Sequence, residues 1–411
     1  MRKRLSVPAL AGVLLCLLLA QACSRLHPDR NESVYVVARQ TYLHDRVAAV
    51  SNRVGQVTNG EKLQVLEHGR RFVKVKTPKN EIGWIQELAV IDSDTFDQFK
   101  KLSDDHQKDP VVATAVVRDD VFLHLEPGRN TQRFFLLPAN AHIQMLMRAS
   151  VPKAAPGAPV KKAKPAAATN PPAEQKPQAS EKEKPGQVAN QPESAPDTEK
   201  PETPVLPAVP AAAPPPMEDW WLVRDDKGNT GWLLSGRMDV DVPDTVAQYS
   251  EGQRIVGAYV LTTVHDEEAD TPNHEVPEYV MLLGPYKAAL PYDFDQVRVF
   301  TWSRNHHRYE TAFRLRPIQG FLPTTITKLP GPTRDGAKVP AFQVRIAANQ
   351  DVSIDPNTGI TRPASTRTLN FVMLDTVVRR VGPDLDPIPS SRTAEEKKAE
   401  KAKKAAKKKG K

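Results

Sequence analysis

Few side chains in this chain of 411 residues stand in an arrangement that could do covalent or metal chemistry. Only two cysteines occur, Cys16 and Cys23, both near the N-terminus. Beyond them a disulfide framework, a cysteine nucleophile and a thiolate metal site are excluded. His306-His307 is an adjacent pair whose rings point to opposite faces of an extended chain, and it sits in a predicted turn, so both read as surface histidines. His265, His274 and Glu275 flank an acidic loop, but no His-Glu-x-x-His run or comparable metal spacing is present. There is no Gly-x-Ser-x-Gly elbow and no phosphate loop. The chemistry to expect is non-enzymatic, with no cofactor and no metal.

Cys23 is the exception, because its surroundings suggest a modification. Met1-Arg2-Lys3-Arg4 is a positive segment, and Leu10 to Ala20 is an apolar run of 11 residues, short for a membrane span and suited to an export signal. Leu19-Ala20-Gln21-Ala22-Cys23 resembles the lipobox of bacterial lipoproteins, with Ala20 where a leucine is usual. That resemblance implies removal of residues 1–22 and a diacylglycerol on the Cys23 thiol. Several acyl chains together anchor stably, at about 0.8 kcal/mol per buried methylene. Ser24 after the cysteine resembles the outer-membrane sorting pattern, so the expected location is the cell envelope, on the outer membrane or periplasmic face if two membranes are present.

Non-covalent chemistry concentrates in the aromatic residues, and these lie in a repeat. Glu218-Asp219-Trp220-Trp221-Leu222-Val223-Arg224 followed by Gly231-Trp232-Leu233 has the spacing of Phe72-Val73-Lys74-Val75-Lys76 and Gly83-Trp84-Ile85. Both alternate apolar and polar residues across a turn, as a β-hairpin does. Upstream, Val36 to Leu66 falls on Val116 to Leu146 at a constant shift of 80, and beyond Leu66 the shift is 148. The second copy therefore carries an insertion of 68 residues in one loop.

The order of Val54-Gly55-Gln56-Val57, Asn59-Gly60-Glu61-Lys62-Leu63-Gln64-Val65-Leu66, an aromatic strand and Gly-Trp resembles the bacterial SH3-like (SH3b) domain. Leu123-His124-Leu125-Glu126-Pro127-Gly128 stands at that family's loop motif, and Asp219-Trp220-Trp221-Leu222-Val223-Arg224 is also similar to eukaryotic SH3 domains. The resemblance implies two small β-barrels, at 34–90 and 111–240. It places Trp220, with Phe122 beside it and Phe72 in the first copy, in a ligand groove. Trp84 and Trp232, beside Gly83 and Gly231, are assigned to closing each barrel. The tyrosines of a proline groove are missing near Val116-Val117, which argues against general polyproline recognition.

The remaining chain divides by composition. Residues 94–110 form a helical linker, N-capped by Asp94, and Asp244 to Tyr249 is its counterpart after the second barrel. The insertion, 149–217, holds 17 of the 38 prolines and no aromatic residue between Ala149 and Met217; such a segment cannot offset its chain entropy and is expected disordered, with polyproline-II character. Its end, Pro201 to Pro216, abuts Trp220 and could dock there in cis, where a tether raises effective concentration. Residues 253–381 read as a β-rich antiparallel domain, sandwich or open sheet, with a hairpin at Val297–Trp302 and Arg308–Arg316 whose arginines, Arg298, Arg304, Arg308, Arg314 and Arg316, form a solvated face. The tail, 390–411, carries ten basic and three acidic residues, nearly all of the chain's net +8.

The fold class expected is mainly β, two small SH3-like barrels plus a β-rich antiparallel domain. The function expected is that of an envelope lipoprotein that binds or scaffolds peptidoglycan or another anionic envelope polymer, held to the membrane by its lipid anchor; export takes the chain away from most nucleic acid, which is not expected as a partner. A cell-wall hydrolase with an unrecognised catalytic domain and a protein–protein adaptor are the alternatives.

Overall fold

The computed structural model describes residues 32–48, 50–160, 215–331, 336–348, 352–355 and 359–388. The expected signal peptide 1–22, Cys23, the greater part of the proline-rich insertion and the basic tail 390–411 lie outside the described residues. Where described, the protein is mainly β and its sheets are antiparallel.

Two sheets repeat one strand order. β1 (Ser33–Val36), β2 (Gln40–His44), β3 (Arg53–Thr58), β4 (Lys62–His68), β5 (Phe72–Lys76), β6 (Ile82–Gln86) and β7 (Val90–Asp92) pair in the order β3-β2-β6-β5-β4-β1-β7. β8 (Ala113–Val117), β9 (Val121–His124), β10 (Arg133–Leu137), β11 (His142–Pro152), β12 (Met217–Arg224), β13 (Thr230–Leu234) and β14 (Met238–Val240) pair as β10-β9-β13-β12-β11-β8-β14, strand for strand the same. Alternation decides each interior. Val34, Val36, Leu43, Leu63, Val65, Val73, Val75 and Ile85 close the first core, while their neighbours in sequence face outward.

The register corrects the constant shift of 80 at one place. Val34 pairs with Leu63, whereas Ala115, not Thr114, pairs with Ile143. The first strand of the second copy is thus displaced by one residue, and a slip of one turns every side chain to the other face. Val117 rather than Val116 is buried there. The insertion is also shorter than 149–217, because β11 and β12 continue as a paired hairpin from Ala149 opposite Trp220 to Pro152 opposite Met217.

α1 (Ser93–Asp105) packs against β1 and β7 of the first sheet and β13 of the second. Its N-cap is Asp92, whose carboxylate accepts from the Thr95 amide at 2.7 Å, two residues earlier than the predicted Asp94. Phe96 stacks on Tyr35 at 3.7 Å, and Phe99 meets Phe134 and Phe135 at 5.9 and 5.6 Å, so one apolar helix face joins both sheets. The second helix, α2 (Asp244–Ala247), packs Val246 against the C-terminal sheet instead of the sheet that precedes it.

The C-terminal region is a sandwich. β15 (Arg254–His265), β16 (Glu275–Gly284), β17 (Gln296–Ser303) and β18 (Arg308–Leu315) form one four-stranded sheet. β19 (Gly320–Pro330), β20 (Lys338–Ala347), β23 (Thr366–Leu374) and β24 (Val377–Val381) form the other, while β21 (Val352–Ile354) and β22 (Thr361–Pro363) make a small hairpin between β20 and β23. Val280, Leu282, Val297 and Val299 meet Phe342, Val344, Leu369 and Phe371 in one core, which continues into the second sheet through Val223 and Trp221. Arg298 departs from the predicted solvated face. It is buried between the Tyr249 carbonyl and Glu251, both at 2.8 Å, because β17 is covered on both sides.

Buried charges join the second sheet to the sandwich. Arg148 donates to Asp293 at 3.0 Å, to Asp219 at 3.4 Å and to the carbonyls of Leu290 and Tyr292. Asp219 also accepts from Ser150, the Ala289 amide and Arg254. Removing one partner of such a set leaves an uncompensated charge out of water.

Candidate functional site

On β5, Val73 and Val75 point inward, so Phe72 and Lys74 point out; on β6, Gly83 and Ile85 point inward, so Trp84 points out. Lys74 lies opposite Trp84 across the strand pair, with its Nζ 5.8 Å from the indole centroid. The β4–β5 turn folds over this surface because residue 69 is glycine: a Cβ there would stand 3.2 Å from the Trp84 ring, and the Gly69 amide donates to the Phe72 carbonyl at 2.8 Å. Val47, Gly69, Arg70, Arg71, Phe72 and Trp84 enclose a mostly apolar cleft of about 510 Å³. Arg70 and Arg71 are exposed at its edge, with no acidic partner among the described residues. Flat aromatic faces beside free guanidinium groups can stack a planar or ring-shaped apolar group and hold an adjacent anion.

The structure treats the two predicted aromatic platforms, Phe72 in the first copy and Trp220 with Phe122 in the second, differently. Phe72 lines the cleft, but Trp220, its counterpart at a shift of 148, is 2% exposed and has no free face for a ligand. Trp220, Trp232 and Leu222 are sealed by Leu102 of α1, Met147, Val151, Leu234 and Ile360. This overturns the assignment of Trp220 to the groove and removes the surface on which Pro201 to Pro216 was expected to dock. Phe122 is not beside Trp220. It joins the aromatic cluster under α1, with the Arg133 guanidinium 5.0 Å from its ring. Trp84, predicted to close the barrel, instead lines the cleft from outside. Closure falls to the glycines, since a Cβ at Gly83 or Gly231 would lie 2.8 or 2.7 Å from the Leu43 or Leu123 Cβ.

Sequence reasoning missed Trp84, Arg70, Arg71 and Val47 as cleft residues. The signal for Trp84 was available, since a residue between Gly83 and Ile85 must face away from the side that Ile85 buries.

A histidine recurs under each Gly-Trp strand. His44 pairs with Trp84 and bonds Ser51 through Nδ1 at 2.9 Å, and His124 pairs with Trp232 and bonds Thr131 at 2.9 Å. His124 packs edge-on to Trp220 at 5.0 Å, and burial, seconded by the charge of Arg133, pushes its pKa down to about 4. His307 bridges Asp266 and Glu268, both at 3.1 Å, and His306 bonds Glu310. No group of three or more metal-ligating side chains is found among the described residues, and no helix there is long and apolar enough to cross a membrane.

Residues 46–89 match the bacterial SH3 domain family, a span that contains the whole cleft. No curated protein matches the chain. Among solved structures, NlpC2 from Trichomonas vaginalis is 8% identical with a TM-score of 0.14, covering 82% of this chain and 92% of that one. NlpC1 from the same organism is also 8% identical at 0.14, covering 81% and 88%. Likenesses of this degree assign neither fold nor activity.

Proposed function

We propose that this protein is a non-enzymatic lipoprotein of the bacterial cell envelope that binds a wall polymer through the Phe72–Trp84 cleft of its first barrel. The observation that carries this reading is the difference between equivalent surfaces: the second sheet's aromatic face is sealed, while the first keeps Phe72, Trp84, Arg70 and Arg71 open to solvent within the bacterial SH3 match. A peptidoglycan strand offers sugar rings and stem peptides to stack, and carboxylates to meet the arginines. In this reading the second sheet is a second, divergent copy of the same module, and it serves as a mount for the sandwich. A diacylglycerol on Cys23 holds the chain at the membrane, and the basic tail adds a salt-screened attraction to anionic polymers.

The test is co-sedimentation of the mature chain, from Ser24 onward, with purified peptidoglycan at low and high salt, beside a form ending at Pro389 and a Phe72→Ala/Trp84→Ala variant. Retention by the shortened form that persists in high salt and drops at least tenfold in the double variant supports the cleft. Equal retention of the double variant removes the cleft from the function, and loss with the tail alone reduces the contact to charge. Release of soluble wall fragments would turn the reading to a hydrolase, and absence of any retention to a protein adaptor.

A further inference from the structure

The cleft between the second sheet and the sandwich is larger than the one on the first sheet, about 780 Å³, within the range of small-molecule sites. One wall is apolar, built from Trp221, Met145, Met238 and Val256. Arg254 lines it as well. Its Nη1 is engaged by Asp219 at 3.3 Å and Ser235 at 3.5 Å, but its Nε and Nη2 are buried with no acceptor. Those two N–H groups form the fork edge of a guanidinium, the geometry that receives both oxygens of a carboxylate. A buried donor left unpaired is costly, so this edge lacks a partner that the protein itself does not supply. Burial also holds the Arg254 guanidinium below the usual arginine range, in spite of Asp219.

The geometry points to this cleft as a binding site for a small carboxylate with an apolar body, its carboxylate on the Nε–Nη2 edge of Arg254 and its apolar part against Trp221 and Met238. Arg254 lines the cleft and keeps 16% of its side chain exposed, and in this proposal the guanidinium turns about its stem, giving up its contact with Asp219, to bring the buried edge to the ligand. The acidic side chains nearby do not repel an anion strongly, because most are already paired: Asp239 with Arg118, Glu218 with Arg129, and Asp219 with Arg148 and Arg254. Asp244 has no cationic partner among the described residues, and the Lys287 ammonium, which also lines the cleft, has no carboxylate partner there. The site is independent of what the first sheet binds.

N-acetyl-leucine and its uncharged counterpart N-acetyl-leucinamide test it on the mature protein by calorimetry. The acid is expected to bind in the millimolar range or tighter, and the amide at least about tenfold more weakly, the ratio a charge-assisted fork contributes. Arg254→Gln should bring the acid to the level of the amide. Because that change also touches Asp219, Gly236→Trp supplies a second handle: Gly236 lines the cleft and a Cβ there meets nothing within 4 Å, so an indole is accommodated at that position without a clash at its Cβ and narrows the cleft. It should abolish binding of the acid. Equal affinity for acid and amide, no binding of the acid at about ten millimolar, or binding unchanged in Gly236→Trp would each overturn the proposal.

Discussion

Trp220 and Phe72 occupy the same place in two copies of one strand pair, and truncating each should have opposite consequences. Trp220 is 2% exposed, and replacing such a side chain by alanine costs about 3–5 kcal/mol in lost transfer energy and residual cavity. Phe72 is smaller and partly exposed on the cleft wall, so Phe72→Ala should cost no more than about 2 kcal/mol. The chain has several cores, so a single unfolding midpoint would not isolate either effect. Amide hydrogen exchange does, because it reads each strand pair separately. For Trp220→Ala, protection of the slowest amides in β12 and β13 should fall by about 150-fold or more, the equivalent of about 3 kcal/mol. For Phe72→Ala, protection in β5 and β6 should fall by no more than about thirtyfold, while peptidoglycan retention drops. Retention should be unchanged in Trp220→Ala at temperatures where it stays folded. If Trp220→Ala left β12 and β13 protected and instead abolished retention, the sealed face would be the binding surface, and the reasoning from burial would be wrong.

Other parts of the structure give sharper stability tests. Gly231→Ala forces a Cβ to 2.7 Å from that of Leu123, and overpacking of this kind should cost about 1–3 kcal/mol, read as lost amide protection in β12 and β13. Arg148→Ala strips Asp219 and Asp293 of a buried partner and should cost about 3–5 kcal/mol, read as lost amide protection in β11 and β12. His124 is held neutral by burial, its pKa displaced from 6.5 to about 4. Because the unfolded chain takes up the proton first, its contribution is complete above pH 6.5, falls as pH drops, and amounts to about 3 kcal/mol lost near pH 4. Acid titration of stability should therefore flatten over that interval in His124→Gln, and an unaltered slope would remove the histidine from the account.

The repeat was legible in the sequence because copies of one hairpin keep the same alternation and the same Gly-Trp spacing, and the strand orders match throughout. Much of the sandwich was legible too: the alternating runs at Val297–Trp302 and Arg308–Arg316 became β17 and β18. β19 went unseen, since Gly320–Pro330 carries Pro323 within it and Pro330 at its end and has no clean alternation. The burial of Arg298 could not be read either. An arginine in an alternating strand looks like a solvated face until Tyr249 and Glu251, contributed by a distant turn, are known to cover it.

The groove failed for a related reason. Alternation sets Trp220 and Trp221 on opposite faces, and the cross-strand register brings Trp232, assigned from the sequence to barrel closure, onto the face of Trp220. Whether an outer face meets water depends on elements elsewhere in the chain, here Leu102 from α1 and Ile360 from the β21–β22 hairpin. Local composition still carried a trace of the outcome. The first copy places Lys74 and Gln86 next to its aromatics, and the second places Leu222 and Leu234 at those positions. A strand pair that exchanges its outward polar residues for leucines has been fitted to a covering partner. The second copy's richer set of tryptophans thus marks a packed interface, and the copy with fewer aromatics and more cations is the one left open to solvent.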